Sequence, residues 1–154
     1  MAVVGSGEHP DARRPEDAEQ QDQRSVVVQV KASAPDLPPL RLVAADLAAR
    51  ADFDLDTVAD LRLAVDEAAS ELVTVATPEA ILTCVFSLDA GQMEVSSSVQ
   101  ARPGAILRQD SFGWRVLTTL VDEVRVTGDP GADPPVLGIS LCKRRSVKTP
   151  AEGH

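Results

Sequence analysis

The sequence contains no tyrosine, and aromatic residues of every kind make up only 3% of it. A core must therefore be assembled from Val, Leu, Ile and Ala. These are plentiful, since 44% of the 154 residues are hydrophobic. No run of eighteen apolar residues occurs, which argues against a membrane-spanning helix. The first stretch, MAVVGSGEHPDARRPEDAEQQDQ, has no apolar segment long enough for a secretory signal. The expected compartment is the cytoplasm. The two histidines, His9 and His154, fall in polar terminal stretches, so neither histidine catalysis nor a histidine-ligated metal is expected. Cys84 and Cys142 lack CxxC spacing and lie in apolar, β-like runs. They read as buried free thiols, with no metal site. Base is outnumbered by acid, 15 to 24, for a net charge of −9. Such a chain repels nucleic acid and anionic membranes and suits a basic protein partner.

Residues 1–23 are polar and lack aliphatic periodicity, which predicts a disordered tail. Residues 144–154, RRSVKTPAEGH, predict a second one. The domain is then 24–143. SVVVQVKA (25–32) is β-branched and reads as a strand that would be an edge unless covered. LPPLRLVAADLAARA opens with prolines, suited to a helix's first turn, and Leu40, Val43, Ala44 and Leu47 recur at helical spacing. A second helix starts near Asp54 or Asp56, where an acid can cap the free amides, and ends before Pro78. AILTCVFSLDAGQMEVSSSVQA predicts a hairpin turning at Asp89-Ala90-Gly91. SFGWRVLTTLVDEV predicts a third helix with Phe112, Val116, Leu120 and Val124 on one stripe, and Ser111 before it as a cap. Two strands close the chain. The order βααββαββ predicts an α+β two-layer sandwich, a mostly antiparallel sheet with helices on one face.

The second helix carries the chemistry. At about 100° per residue, Val58, Leu61, Val65, Ala68, Leu72 and Val75 form an apolar stripe. Asp60, Leu63, Glu67, Glu71 and Thr74 form another stripe, offset from it. Asp66 points elsewhere, toward solvent. The carboxylates are either a wet face or part of a site.

The helix LRLAVDEAASEL (61–72) and the run FGWRVLTTLVDEV (112–124), in this element order, resemble the anti-sigma factor and serine-protein-kinase family (RsbW-like), over roughly residues 25–143. The resemblance implies the ATP-binding, histidine-kinase-like fold of gyrase and sensor histidine kinases. Each family position can be compared with this chain. The family helix "LAV-x-E-A-x-x-N" carries a glutamate that acts as general base, which here is Glu67. Its asparagine would hold magnesium against the phosphates; here it is Glu71. The following "HA" is replaced by Val75 and Ala76. An aspartate-glycine signature that reads adenine should follow the third strand; here the run is VSSSVQARPG, with no aspartate. The glycine-rich phosphate motif is reduced to SFGWRV, in which Gly113 survives and Phe112 and Trp114 crowd the space a phosphate would take. Arg102 and Arg108 are the nearby cations. The tail of that motif, Leu120 to Val124, is kept.

The resemblance thus implies a protein of transcription regulation and stress response, with two readings. One is an anti-sigma factor that sequesters an RNA polymerase sigma subunit, with a degenerate nucleotide site. Here Glu67 is idle, Glu71 and Gly113 are vestiges of nucleotide binding, and ATP and magnesium bind weakly or not at all. The other is an active ATP-dependent serine/threonine kinase of an anti-anti-sigma antagonist. A third, outside both, is a non-enzymatic dimerising regulatory domain. Family members pair as homodimers. Residues 46–71 carry eight acids against Arg50 and Arg62, a face that could steer a basic sigma surface.

Overall fold

The computed structural model describes residues 2–5 and 24–146. Among the described residues there are six strands, three α-helices and a short 3-10 turn (Ala34–Asp36): β1 (Ala2–Gly5), β2 (Arg24–Lys31), α1 (Pro38–Arg50), α2 (Leu55–Val75), β3 (Ile81–Asp89), β4 (Gln92–Gln100), α3 (Phe112–Leu120), β5 (Glu123–Asp129) and β6 (Val136–Arg144). The strands form one sheet in the order β1-β2-β3-β4-β6-β5, and every neighbouring pair is antiparallel. The α+β class and the one-sheet architecture agree with the sequence reading.

Local signals account for most boundaries. The side chain of Asp54 accepts a hydrogen bond from the Thr57 amide at 2.8 Å and starts α2. Ser111 does the same for the Trp114 amide at 3.1 Å and starts α3. β3 and β4 are joined at Ala90-Gly91, where Gly91 takes φ +76. That left-handed backbone is cheap only without a Cβ.

Alternation decides which face is buried. Leu82, Cys84, Phe86 and Leu88 of β3 point to the core, as do Met93, Val95, Ser97 and Val99 of β4. Against them lie Leu61, Val65, Ala68 and Leu72 of α2, all fully buried. Ala64 and Ala69 are also fully buried, because α1 and α3 pack on the flanks of α2. The buried face of α2 is therefore wider than its single apolar stripe. Both cysteines are buried and free. The Cys84 sulfur lies 3.0 Å from the Ser97 hydroxyl, and burial pushes its thiol up to about 11, so it stays protonated and unreactive.

Four expectations are corrected. Ala2–Gly5 is a strand along Val26–Gln29 of β2 rather than part of a structureless tail; residues 6–23 and 147–154, the rest of both expected tails, lie outside the described residues. β2 is consequently an interior strand, and the sheet's edges are β1 and β5. α3 stops at Leu120, so Glu123 and Val124 belong to β5. Arg144 ends β6 instead of opening the tail.

Candidate functional site

Glu67 and Glu71 are one turn apart on α2, so their side chains rise from the same side of the helix. Both are half-buried, which corrects the picture of a wet acidic face. The first turn of α3 lies over them. A Cβ placed on Gly113 would collide with Glu71 Oε1 and with Glu67 Oε1. Glycine at 113 permits this close approach, and its φ is not unusual; a larger residue would require the two carboxylates to swing away. The three residues singled out in the sequence, Glu67, Glu71 and Gly113, thus meet at one point. Burial raises the Glu71 carboxyl above its ordinary range; the Glu67 charge and a hydrogen bond between the two side chains raise it further.

Phe112 and Trp114, expected to crowd the same space together, part company. Phe112 is 81% exposed, whereas Trp114 is buried in the core. Two residues on a helix are separated by about 200°, so only one of them can face the sheet. Leu63, one turn before Glu67, is 58% exposed, and Ile106 is 75% exposed. Large apolar side chains therefore flank the carboxylate pair.

Beside Glu71 an open groove of about 250 Å³ runs between the end of α2 and the 102–111 loop, lined among others by Thr74, Arg102, Ile106, Arg108 and Ser111. Its cations are engaged with the chain itself. Arg102 donates through Nη2 to the Thr74 carbonyl at 2.7 Å, and its amide bonds the Val75 carbonyl at 2.9 Å. It caps the negative end of α2. Arg108 pairs with Asp110. VSSSVQ continues as regular β4 strand up to the loop.

The acidic stretch 46–71 is also less free than its composition implied. Asp46 pairs with Arg50, Asp60 with Lys143 and Asp66 with Arg41. Asp54 caps α2. Asp66, assigned to open solvent from the sequence, is half-buried in its ion pair. Lys143 was missed altogether. Its Nζ donates to the Leu120 carbonyl at 2.9 Å and lies 3.7 Å from Asp60, tying the end of α3 to α2. A lone lysine in the apolar run of β6 was the signal. Among the described residues, no group of three His, Cys, Asp or Glu converges as a ligand set, and no helix is long and apolar enough to cross a membrane.

An antiparallel sheet covered on one face by helices, with a glutamate pair on the central helix beneath a glycine-bearing helix start, defines a class. The chain belongs to the histidine kinase-like ATPase domain family, whose model matches residues 30–133. Within that family it is similar to the anti-sigma-F factor RsbW of Mycobacterium tuberculosis. It is 34% identical to that protein over 142 residues, 90% of this chain and 84% of the relative, in the sequences of both strain CDC 1551 / Oshkosh and strain ATCC 25618 / H37Rv. The crystal structure of the RsbU and RsbW domains of a Mycobacterium tuberculosis protein superposes with a TM-score of 0.59 at 17% identity. That match covers 80% of this chain and a third of the longer one (33%), and it shows the shared fold.

Proposed function

We propose that the protein is an anti-sigma factor that holds an RNA polymerase sigma subunit by surface contact, without phosphoryl transfer. The likeness to the anti-sigma-F factor over nearly the whole chain supports the partner class. One observation supports the degenerate site: the Glu67 and Glu71 carboxylates pack against Gly113 in the first turn of α3. A helix start attracts anions through its free amides and dipole. Here the chain's own carboxylates lie where a nucleotide's phosphates would need to come. A triphosphate would meet two acids, and the nearby Arg102 is bound to helix carbonyls. No aspartate stands in VSSSVQARPG to read an adenine. These residues do not fit Mg-ATP.

A sigma subunit, an anti-anti-sigma antagonist that releases it, and a homodimer complete the proposal. Because β1 covers β2, self-association would use β1, β5 or another face rather than SVVVQVKA.

The test compares the parent with Glu67→Ala. Calorimetry with Mg-ATP should give no dissociation constant in the micromolar range, and both proteins should capture the same sigma factor in surface plasmon resonance. Transfer of labelled phosphate from ATP to an antagonist by the parent, abolished in Glu67→Ala, would instead establish the kinase reading. A general base contributes a factor on the order of 10² to 10⁴ in rate.

A further inference from the structure

A second concavity lies at the far end of β4 from the groove beside Glu71. It is an open cleft of about 760 Å³ between the start of β2, the end of α1, the β3–β4 turn and the end of β6. Four arginines line it: Arg24, Arg50, Arg144 and Arg145. They come from three separate chain segments, and they are four of the twelve lysines and arginines among the described residues. In a chain of net charge −9, this convergence runs against the overall composition. Two acids, Asp52 and Asp89, share the lining. Arg50 is paired with Asp46 at 2.8 Å and Arg144 with Glu123 at 3.4 Å. Arg24 and Arg145 have no ion pair among the described residues. The arginines outnumber the two acids of the lining, and Arg24 and Arg145 are the ones left to bind an incoming anion. A ligand carboxylate can be gripped by two parallel N–H donors of one arginine.

We propose that this arginine cleft is a docking site for an acidic peptide segment of a partner protein. The lining selects among anions. Leu47, Ala51, Leu88 and Ala90 give it an apolar floor between the charges, which suits acidic residues interspersed with aliphatic ones. Among the described residues no aromatic side chain lines it, so nucleobases have nothing there to stack on. A long nucleic acid would also meet the acidic remainder of the chain. The cleft flanks the Gln92 end of β4, while the groove lined by Thr74, Arg102 and Ile106 opens just past its Gln100 end. At 3.4 Å per residue the two are roughly 27 Å apart. The cleft is thus a second surface, and it stands independently of the sigma-binding reading.

The experiment is fluorescence anisotropy of the full chain with a fluorescein-labelled peptide of alternating Glu and Leu. The parent should bind it, with affinity falling as salt rises, and should not bind the matching Lys-Leu peptide. The double variant Arg24→Ala/Arg145→Ala should bind at least about tenfold more weakly, a loss of about 1.4 kcal/mol, with an unchanged melting temperature. The double variant Arg62→Ala/Arg115→Ala, which removes exposed arginines elsewhere, should bind like the parent. Absence of binding to the Glu-Leu peptide, equal losses in both double variants, or equally tight Arg24- and Arg145-dependent binding of duplex DNA would each overturn the assignment.

Discussion

Gly113 and Glu71 are fitted to each other: the carboxylate oxygen of Glu71 lies where the first side-chain carbon of any larger residue at 113 would have to go. The contact joins two helices far apart in the chain, and Glu67 shares it. Gly113→Ala must therefore push both carboxylates outward. The colliding atoms are the ends of flexible side chains, and alanine gains up to about 1 kcal/mol over glycine within a helix, so the fold should lose little. The Glu71 titration should move back toward the ordinary glutamate range. Carboxyl carbon NMR shifts followed against pH read this directly, and an unmoved titration would show that the pair is not held by the glycine.

The raised Glu71 carboxyl also makes a statement about stability. Burial and then the Glu67 charge make the folded chain bind the Glu71 proton more tightly than the unfolded chain. That contribution is fully present below the ordinary value of 4.5 and is lost as pH rises through the raised folded value. Glu71→Gln, which imitates the protonated form, should equal or exceed the parent in melting temperature at neutral pH. Its advantage should shrink as the solution is acidified. An advantage that grows in acid would reverse the sign of the argument.

Val65 and Leu72 are fully buried on the sheet side of α2. Leu72→Ala should cost about 2–5 kcal/mol in urea unfolding, through lost burial and the space left behind. Val65→Asp should fail to fold at all, since a buried, unpaired carboxylate costs several kcal/mol. Near-parental midpoints for both would mean that α2 is rotated about its axis relative to the sheet.

Lys143 is the one basic side chain on the core-facing register of β6, and it holds the Leu120 carbonyl at the end of α3. Lys143→Met keeps the stem and removes the donor. A loss of about 1.5–3 kcal/mol is expected from that charged hydrogen bond, with faster amide exchange in the last turn of α3 as the local readout.

The helix starts at Asp54 and Ser111 and the turn at Ala90-Gly91 could be read from the sequence because each is written in neighbouring residues. β1 could not, because AVVG gains strand character only by pairing with Val26–Gln29 across an intervening polar stretch. The end of α3 was misjudged for the same reason. Val124 continues the helical stripe of Phe112, Val116 and Leu120, but its pairing with Leu141 makes it strand. Glu67, Glu71 and Gly113 were singled out by family motif, yet their convergence was invisible to helix periodicity, which relates residues only within one helix. Composition likewise overstated the acidic face, since it counts charges and cannot see that Asp46, Asp60 and Asp66 already have partners.

The chain's single tryptophan, in a sequence without tyrosine, is Trp114, buried one residue beyond Gly113. Its indole is therefore a built-in optical probe of the ground between α2 and α3. Excited at the red edge of protein absorption, the protein emits from this one position alone. Any ligand, partner or substitution that shifts the carboxylate pair has a spectral signature free of energy transfer from other rings, and the site can be followed in the unlabelled protein as it binds.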